Sequence, residues 1–70
     1  MLSGEQLKFL RYYNGRTQKQ IADWCGVSER YIKFIESNEM KPAQDMYNNF
    51  INGIYKIGKP VPKKKKSGDE

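Results

Sequence analysis

The sequence predicts an all-α domain of four to five short helices, two of which meet across a tight turn at about residues 17–36. Three observations carry that prediction. A chain of 70 residues holds one small domain with a modest core. Its apolar residues recur three and four apart, the spacing that lines one side of a helix. Its Ser, Thr, Asn and Gly residues stand where helix ends need them.

The first helix opens at Ser3, which forms a capping box with Gln6: the hydroxyl accepts an orphan amide, and the glutamine reaches back to the N–H of the capping residue. Leu2 and Leu7 flank this start as a hydrophobic staple, and Asn14-Gly15 supplies a left-handed stop. Thr17 and Gln20 repeat the capping box at the second helix, where Ile21 and Cys25 share one stripe. Ala22 lacks the bulk that would hold a crossing helix away, and Gly26 tolerates the positive φ of the corner. Ser28 caps the third helix, Val27 and Ile32 are spaced as its staple, and Ile32 and Ile35 point inward. The fourth helix is expected from Ala43 to Ile57. Met46, Phe50, Ile54 and Ile57 form one apolar stripe and Tyr47, Ile51 and Tyr55 a second, more than one face of a small core requires. Gly58, Pro60 and Pro62 then stop regular structure, leaving little room for a separate fifth helix.

Charge divides the chain unevenly. Residues 1–58 carry eight Lys or Arg and six Asp or Glu, a net +2, whereas residues 59–70 carry five and two, a net +3. The expected domain is therefore 1–58. The segment 59–70, KPVPKKKKSGDE, is expected to be a disordered tail, because it lacks the apolar surface that would offset the entropy of ordering. Two readings of it stay open: a solubilising tail, or a flexible arm that adds phosphate contacts and salt-dependent affinity.

Composition argues against an enzyme. There is no His, and the single Cys25 lies on an apolar helical stripe, which excludes zinc clusters, Cys-His nucleophiles and intrachain disulfides. No apolar run approaches the roughly 20 residues of a membrane span, and the N-terminus reads as a capped helix, not a signal peptide, so a cytoplasmic protein is expected. No cofactor, metal or small-molecule ligand is evident.

The stretch Gln18 to Ser37, QKQIADWCGVSERYIKFIES, has the form of a DNA-binding helix-turn-helix. With its flanks it resembles the Cro and phage-repressor type of helix-turn-helix proteins, a lambda-repressor-like pattern that spans about residues 3 to 57. Arg11 and Glu36 fall where several members of that family hold a partly buried ion pair. Glu36-Ser37-Asn38 followed by Pro42 is similar to the family's Glu-x-Gly-x-x-x-Pro exit, with Asn38 in place of Gly. Asn tolerates the left-handed conformation better than other non-glycine residues. Ala43 departs from the pattern where a capping Ser is common. PVPKKKK also has the form of a nuclear import signal, which is at odds with a resemblance to prokaryotic and phage proteins.

Pointing the apolar stripe of the third helix inward leaves Ser28, Glu29, Arg30, Lys33 and Phe34 free to meet DNA. The resemblance places Ser28, Glu29, Arg30 and Phe34 on positions that read base edges in the major groove. Arg30 suits a bidentate contact to guanine, Phe34 an apolar contact to a thymine methyl or packing on a neighbour, and Glu29 an acceptor role toward cytosine or an orienting role toward Arg30. Gln18 is expected on a phosphate by the resemblance, with Lys19, Tyr31, Lys33, Asn38 and Lys41 as secondary candidates by charge or placement. Arg11, Ala22, Gly26 and Glu36 are expected to be structural. Trp24, beside the Ile21 stripe, is expected to cover the edge of the core.

The function implied is that of a sequence-specific regulator of transcription, most simply a repressor that occupies its operator. The expected partners are double-stranded DNA and a second copy bound through helix 43–57. Two rival readings stand beside it. One is a protein-interaction module, an antitoxin, antirepressor or docking domain, using Tyr47, Ile51, Tyr55 and Trp24. The other is nonspecific nucleic-acid binding through the lysine tail.

Overall fold

The computed structural model describes residues 1–62. They form four helices, α1 (Gly4–Tyr13), α2 (Gln18–Cys25), α3 (Glu29–Glu36) and α4 (Gln44–Tyr55), and no strand is present among the described residues. The expected tail lies outside the described residues from position 63 onward.

Local chemistry sets the helix starts. Ser3 Oγ accepts the Gln6 amide at 3.2 Å while the Ser3 amide donates to Gln6 Oε1 at 2.9 Å. At α2 the same pair of bonds forms between Thr17 and Gln20, at 3.0 and 2.8 Å. Each box satisfies amides that a helix cannot pair internally. Ser28 caps α3 by accepting the Tyr31 amide at 3.2 Å. Ala43 offers no side-chain cap to α4, and the carboxylate of Asp45 in the first turn accepts the Met46 amide at 2.8 Å.

The corner between α2 and α3 is three residues long. Gly26 sits at φ 71°, which lets the Val27 amide return to the Ala22 carbonyl at 3.0 Å and closes α2. That bond turns the chain so sharply that Ser28 caps the next helix two residues later. Ala22, Ile21 and Cys25 from α2 then meet Ile32 and Ile35 from α3 in a core completed by Leu7 of α1 and Met46, Phe50 and Ile54 of α4. Leu10, Trp24, Val27, Tyr31, Tyr47 and Ile51 pack around it, half-buried. Of the two stripes expected on α4, that of Met46, Phe50 and Ile54 faces inward, with Phe50 and Ile54 fully covered.

The far end of α4 departs from expectation. The helix ends at Tyr55 instead of running to Ile57, because Lys56 adopts φ 56° and the Ile57 amide folds back to the Asn52 carbonyl at 2.9 Å. Ile57, expected to continue the stripe of Met46, Phe50 and Ile54, is 57% exposed as a result.

Two glycines mark close approaches. A Cβ on Gly4 would collide with the backbone carbonyls of Ile35 and Glu36, so the N-terminus of α1 sits directly on the end of α3. A Cβ on Gly53 would stand 3.1 Å from the Trp24 ring, so Trp24 packs closely on α4 at a position without a side chain. Trp24 thus covers the edge of the core, as its spacing suggested.

The seam expected between residues 58 and 59 is bridged. The Val61 amide donates to the Trp24 carbonyl at 2.7 Å, and the Val61 and Pro62 carbonyls lie close to Gly26. The first four residues of the expected tail therefore run along the C-terminal end of α2 and reach the α2–α3 corner.

Candidate functional site

α3 is amphipathic, and its two sides do different work. Ile32, Ile35 and Glu36 are buried, whereas Ser28, Glu29, Arg30 and Lys33 are exposed and Phe34 and Tyr31 are half-buried. Of the five residues singled out as a reading face, Ser28 is the N-cap of α3, Glu29, Arg30 and Lys33 are exposed along the helix, and Phe34 is half-buried. The guanidinium carbon of Arg30 lies 5.7 Å from the centroid of the Phe34 ring, within cation–π range. Glu29 also lines a shallow cleft with Lys8, Arg16 and Gln18. The group in range of the Arg30 guanidinium is the Phe34 ring, and no ion pair or hydrogen bond joins Arg30 to Glu29 among the described residues.

A buried polar network fixes this helix from behind. Arg11 of α1 donates to Glu36 through Nε at 2.6 Å and through Nη2 at 3.1 Å, a two-pronged pair whose side chains are 6% and 3% exposed. Arg11 Nη1 also donates to the Arg16 carbonyl at 2.8 Å, and Gln18 Nε2 donates to Glu36 Oε1 at 3.0 Å. One carboxylate thus ties α1, α2 and α3 together. With both charges paired and the surrounding donors satisfied, burial of the pair is tolerable, though removing either partner would strand the other.

Gln18, expected on a phosphate, has its side-chain amide drawn inward to Glu36. What remains outward at this position is the start of α2, whose first amides carry the positive end of the helix dipole. Asn38 is exposed, but its side-chain oxygen is engaged within the domain. At φ 65° it closes α3, and its Oδ1 accepts the Gly4 amide at 2.8 Å. Tyr31 is half-buried against the core. Among the other phosphate candidates, Lys41 is exposed, and Lys19 is exposed with a 3.5 Å pairing to Asp23 that is worth little at such a solvated site.

The surface residues assigned to an interaction module are redistributed. Trp24, Tyr47 and Ile51 are half-buried in their own fold, and the Tyr47 hydroxyl accepts the Leu2 amide at 3.0 Å. Tyr55 is 48% exposed. The most open apolar side chains lie on α1, where Phe9 is 75% and Tyr13 86% exposed beside a shallow groove with Leu2 and Leu10. Sequence spacing could have flagged Phe9, since it is out of register with Leu7 and Leu10.

Cys25 is buried, and burial pushes its thiol up to about 11 from an ordinary 9.0, which leaves it a neutral packing group at physiological pH. No group of three or more potential metal ligands occurs among the described residues. No described helix is long and apolar enough to cross a membrane. Compared with known proteins, the chain matches no family model, no curated protein and no solved structure.

Proposed function

We propose that this chain is a sequence-specific double-stranded DNA-binding regulator of transcription, a repressor that acts by occupying its operator and reads the major groove with α3. The observation that carries the reading is the division of α3 into a buried side, locked by Ile32, Ile35 and the Glu36–Arg11 pair, and an open polar side bearing Ser28, Glu29, Arg30 and Lys33. A helix with that free side fits a groove about 12 Å wide, and its arginine matches the O6 and N7 acceptors of guanine. The exposed start of α2 and the solvated Lys41 and Lys19 supply backbone contacts that position the helix without reading sequence.

In this reading a second copy docks through the C-terminal end of α4, where Tyr55 and Ile57 are exposed, and sets two α3 helices roughly 34 to 36 Å apart on a near-palindromic site. Selection of binding sites from random duplex DNA tests the proposal directly. An enriched guanine-containing half-site whose binding needs Arg30 supports it, and the absence of any enriched site removes it.

One observation favours a second reading. Phe9 and Tyr13 on α1 are open to solvent next to Leu2, a surface that a protein-interaction module would use. Under that reading Phe9→Ser abolishes capture of the partner while Arg30→Ala does not.

A further inference from the structure

We infer that Phe34 is a positioning residue that acts through Arg30: its ring is the platform that carries the guanidinium, and it sets guanine discrimination without itself touching a base. The inference rests on the DNA-binding reading of α3 and deepens it.

Phe34 lies one helical turn beyond Arg30, on the same side of α3, which is where side chains four apart meet. Phe34 is half-buried, whereas Arg30 is exposed at the end of a long, rotatable stem. The guanidinium carbon stands 5.7 Å from the ring centroid, so the exposed charge lies over the half-buried ring. Among the described residues no ion pair holds Arg30, and Glu29 lines a shallow cleft with Lys8 and Arg16. A bidentate contact to guanine requires the planar fork to be held in one orientation, and an aromatic face restrains that plane where a loose side chain would have to be ordered on binding.

The test is a double-mutant cycle on the duplex selected by the full chain, using Phe34→Leu, Phe34→Tyr, Arg30→Ala and the Phe34→Leu/Arg30→Ala pair. Phe34→Leu is expected to weaken binding to that duplex about 3- to 10-fold, the scale of a lost cation–π contact with its ordering effect, and to flatten the preference for guanine. Phe34→Tyr, which keeps the ring, is expected to retain both. In the Arg30→Ala background, Phe34→Leu is expected to change affinity by less than about 2-fold, because the residue through which it acts is gone. Equal losses in the two backgrounds, or a loss on replacing thymine by uracil in the duplex that Phe34→Leu removes, would show the ring acting on DNA directly and overturn the inference. Thermal unfolding of each variant identifies any that fail to fold. The wild-type chain offers an independent reading by NMR: the δ-methylene protons of Arg30 are expected upfield from the ring current of Phe34, and unshifted signals overturn the platform. If no duplex is enriched at all, the DNA-binding reading fails and the inference with it. If a duplex is enriched but the cycle is additive, the inference alone fails.

Discussion

Asn38 and Gly4 lie 34 residues apart in the chain, yet the side-chain carbonyl of the first accepts the backbone amide of the second at 2.8 Å. The bond joins the end of α3 to the start of α1. It occupies one of the amides that a helix start leaves unpaired, and the close approach depends on Gly4 having no side chain, since a Cβ there would strike the Ile35 and Glu36 carbonyls. Asn38 answers two needs in one residue: it adopts φ 65°, and it supplies the acceptor.

Gly4→Ala is therefore expected to destabilise the fold by about 2 kcal/mol or more, because the collision is with backbone that cannot rotate away. Asn38→Gly loses only the acceptor, whereas Asn38→Ala also bears left-handed strain of about 1 kcal/mol. Urea unfolding of the three variants should rank Asn38→Gly as the mildest. If Asn38→Ala matched Asn38→Gly, the backbone conformation would have no bearing on stability here.

Removing one partner of the Arg11–Glu36 pair should be costly. Glu36→Ala is expected to lose about 3 to 5 kcal/mol, because Arg11 is left buried with its charge unpaired and Gln18 loses its acceptor. Replacing both partners by apolar residues, as in Arg11→Met with Glu36→Leu, should recover much of that loss. Denaturant midpoints decide the matter, and a double variant as unstable as the single one would contradict the argument.

DNA affinity should separate reading from steering. Arg30→Ala is expected to weaken binding to a selected duplex about 10- to 100-fold, equivalent to about 1 to 3 kcal/mol, and to leave binding to random DNA nearly unchanged. Truncation after Pro62, which keeps the Val61–Trp24 bond, removes four lysines and should weaken binding to both duplexes while lowering the salt slope. Titrations at several salt concentrations distinguish the two, and the reverse pattern would favour nonspecific binding.

The buried thiol of Cys25 gives stability a pH dependence at the alkaline end. As pH rises past the ordinary value of 9.0 the unfolded chain loses this proton, while the folded chain keeps it until about 11. The contribution of Cys25 is thus constant below about 9 and declines between 9 and 11. Comparing wild type with Cys25→Ala by chemical unfolding across that range should show their difference shrinking, whereas a constant difference would mean that the thiol ionises freely in the fold.

What the sequence determined by itself is local. Ser3 with Gln6, Thr17 with Gln20, and Gly26 all perform the end-capping or corner-turning roles that their spacing implied, since a cap joins residues three or four apart and needs nothing from the remainder of the chain. The inward stripes of α2 and α3 were legible for the same reason, as was an outward polar face on α3. The tertiary structure decided what depends on contacts between distant residues. It gave Gln18 to Glu36, Asn38 to Gly4 and Tyr47 to Leu2, drawing toward the domain side chains that spacing alone had left on its surface. It laid Trp24 over Gly53 and fastened Val61 beside the corner, where composition had suggested a free tail. Helical periodicity specifies which side chains share a face, but the neighbour that a face meets follows from how the helices pack.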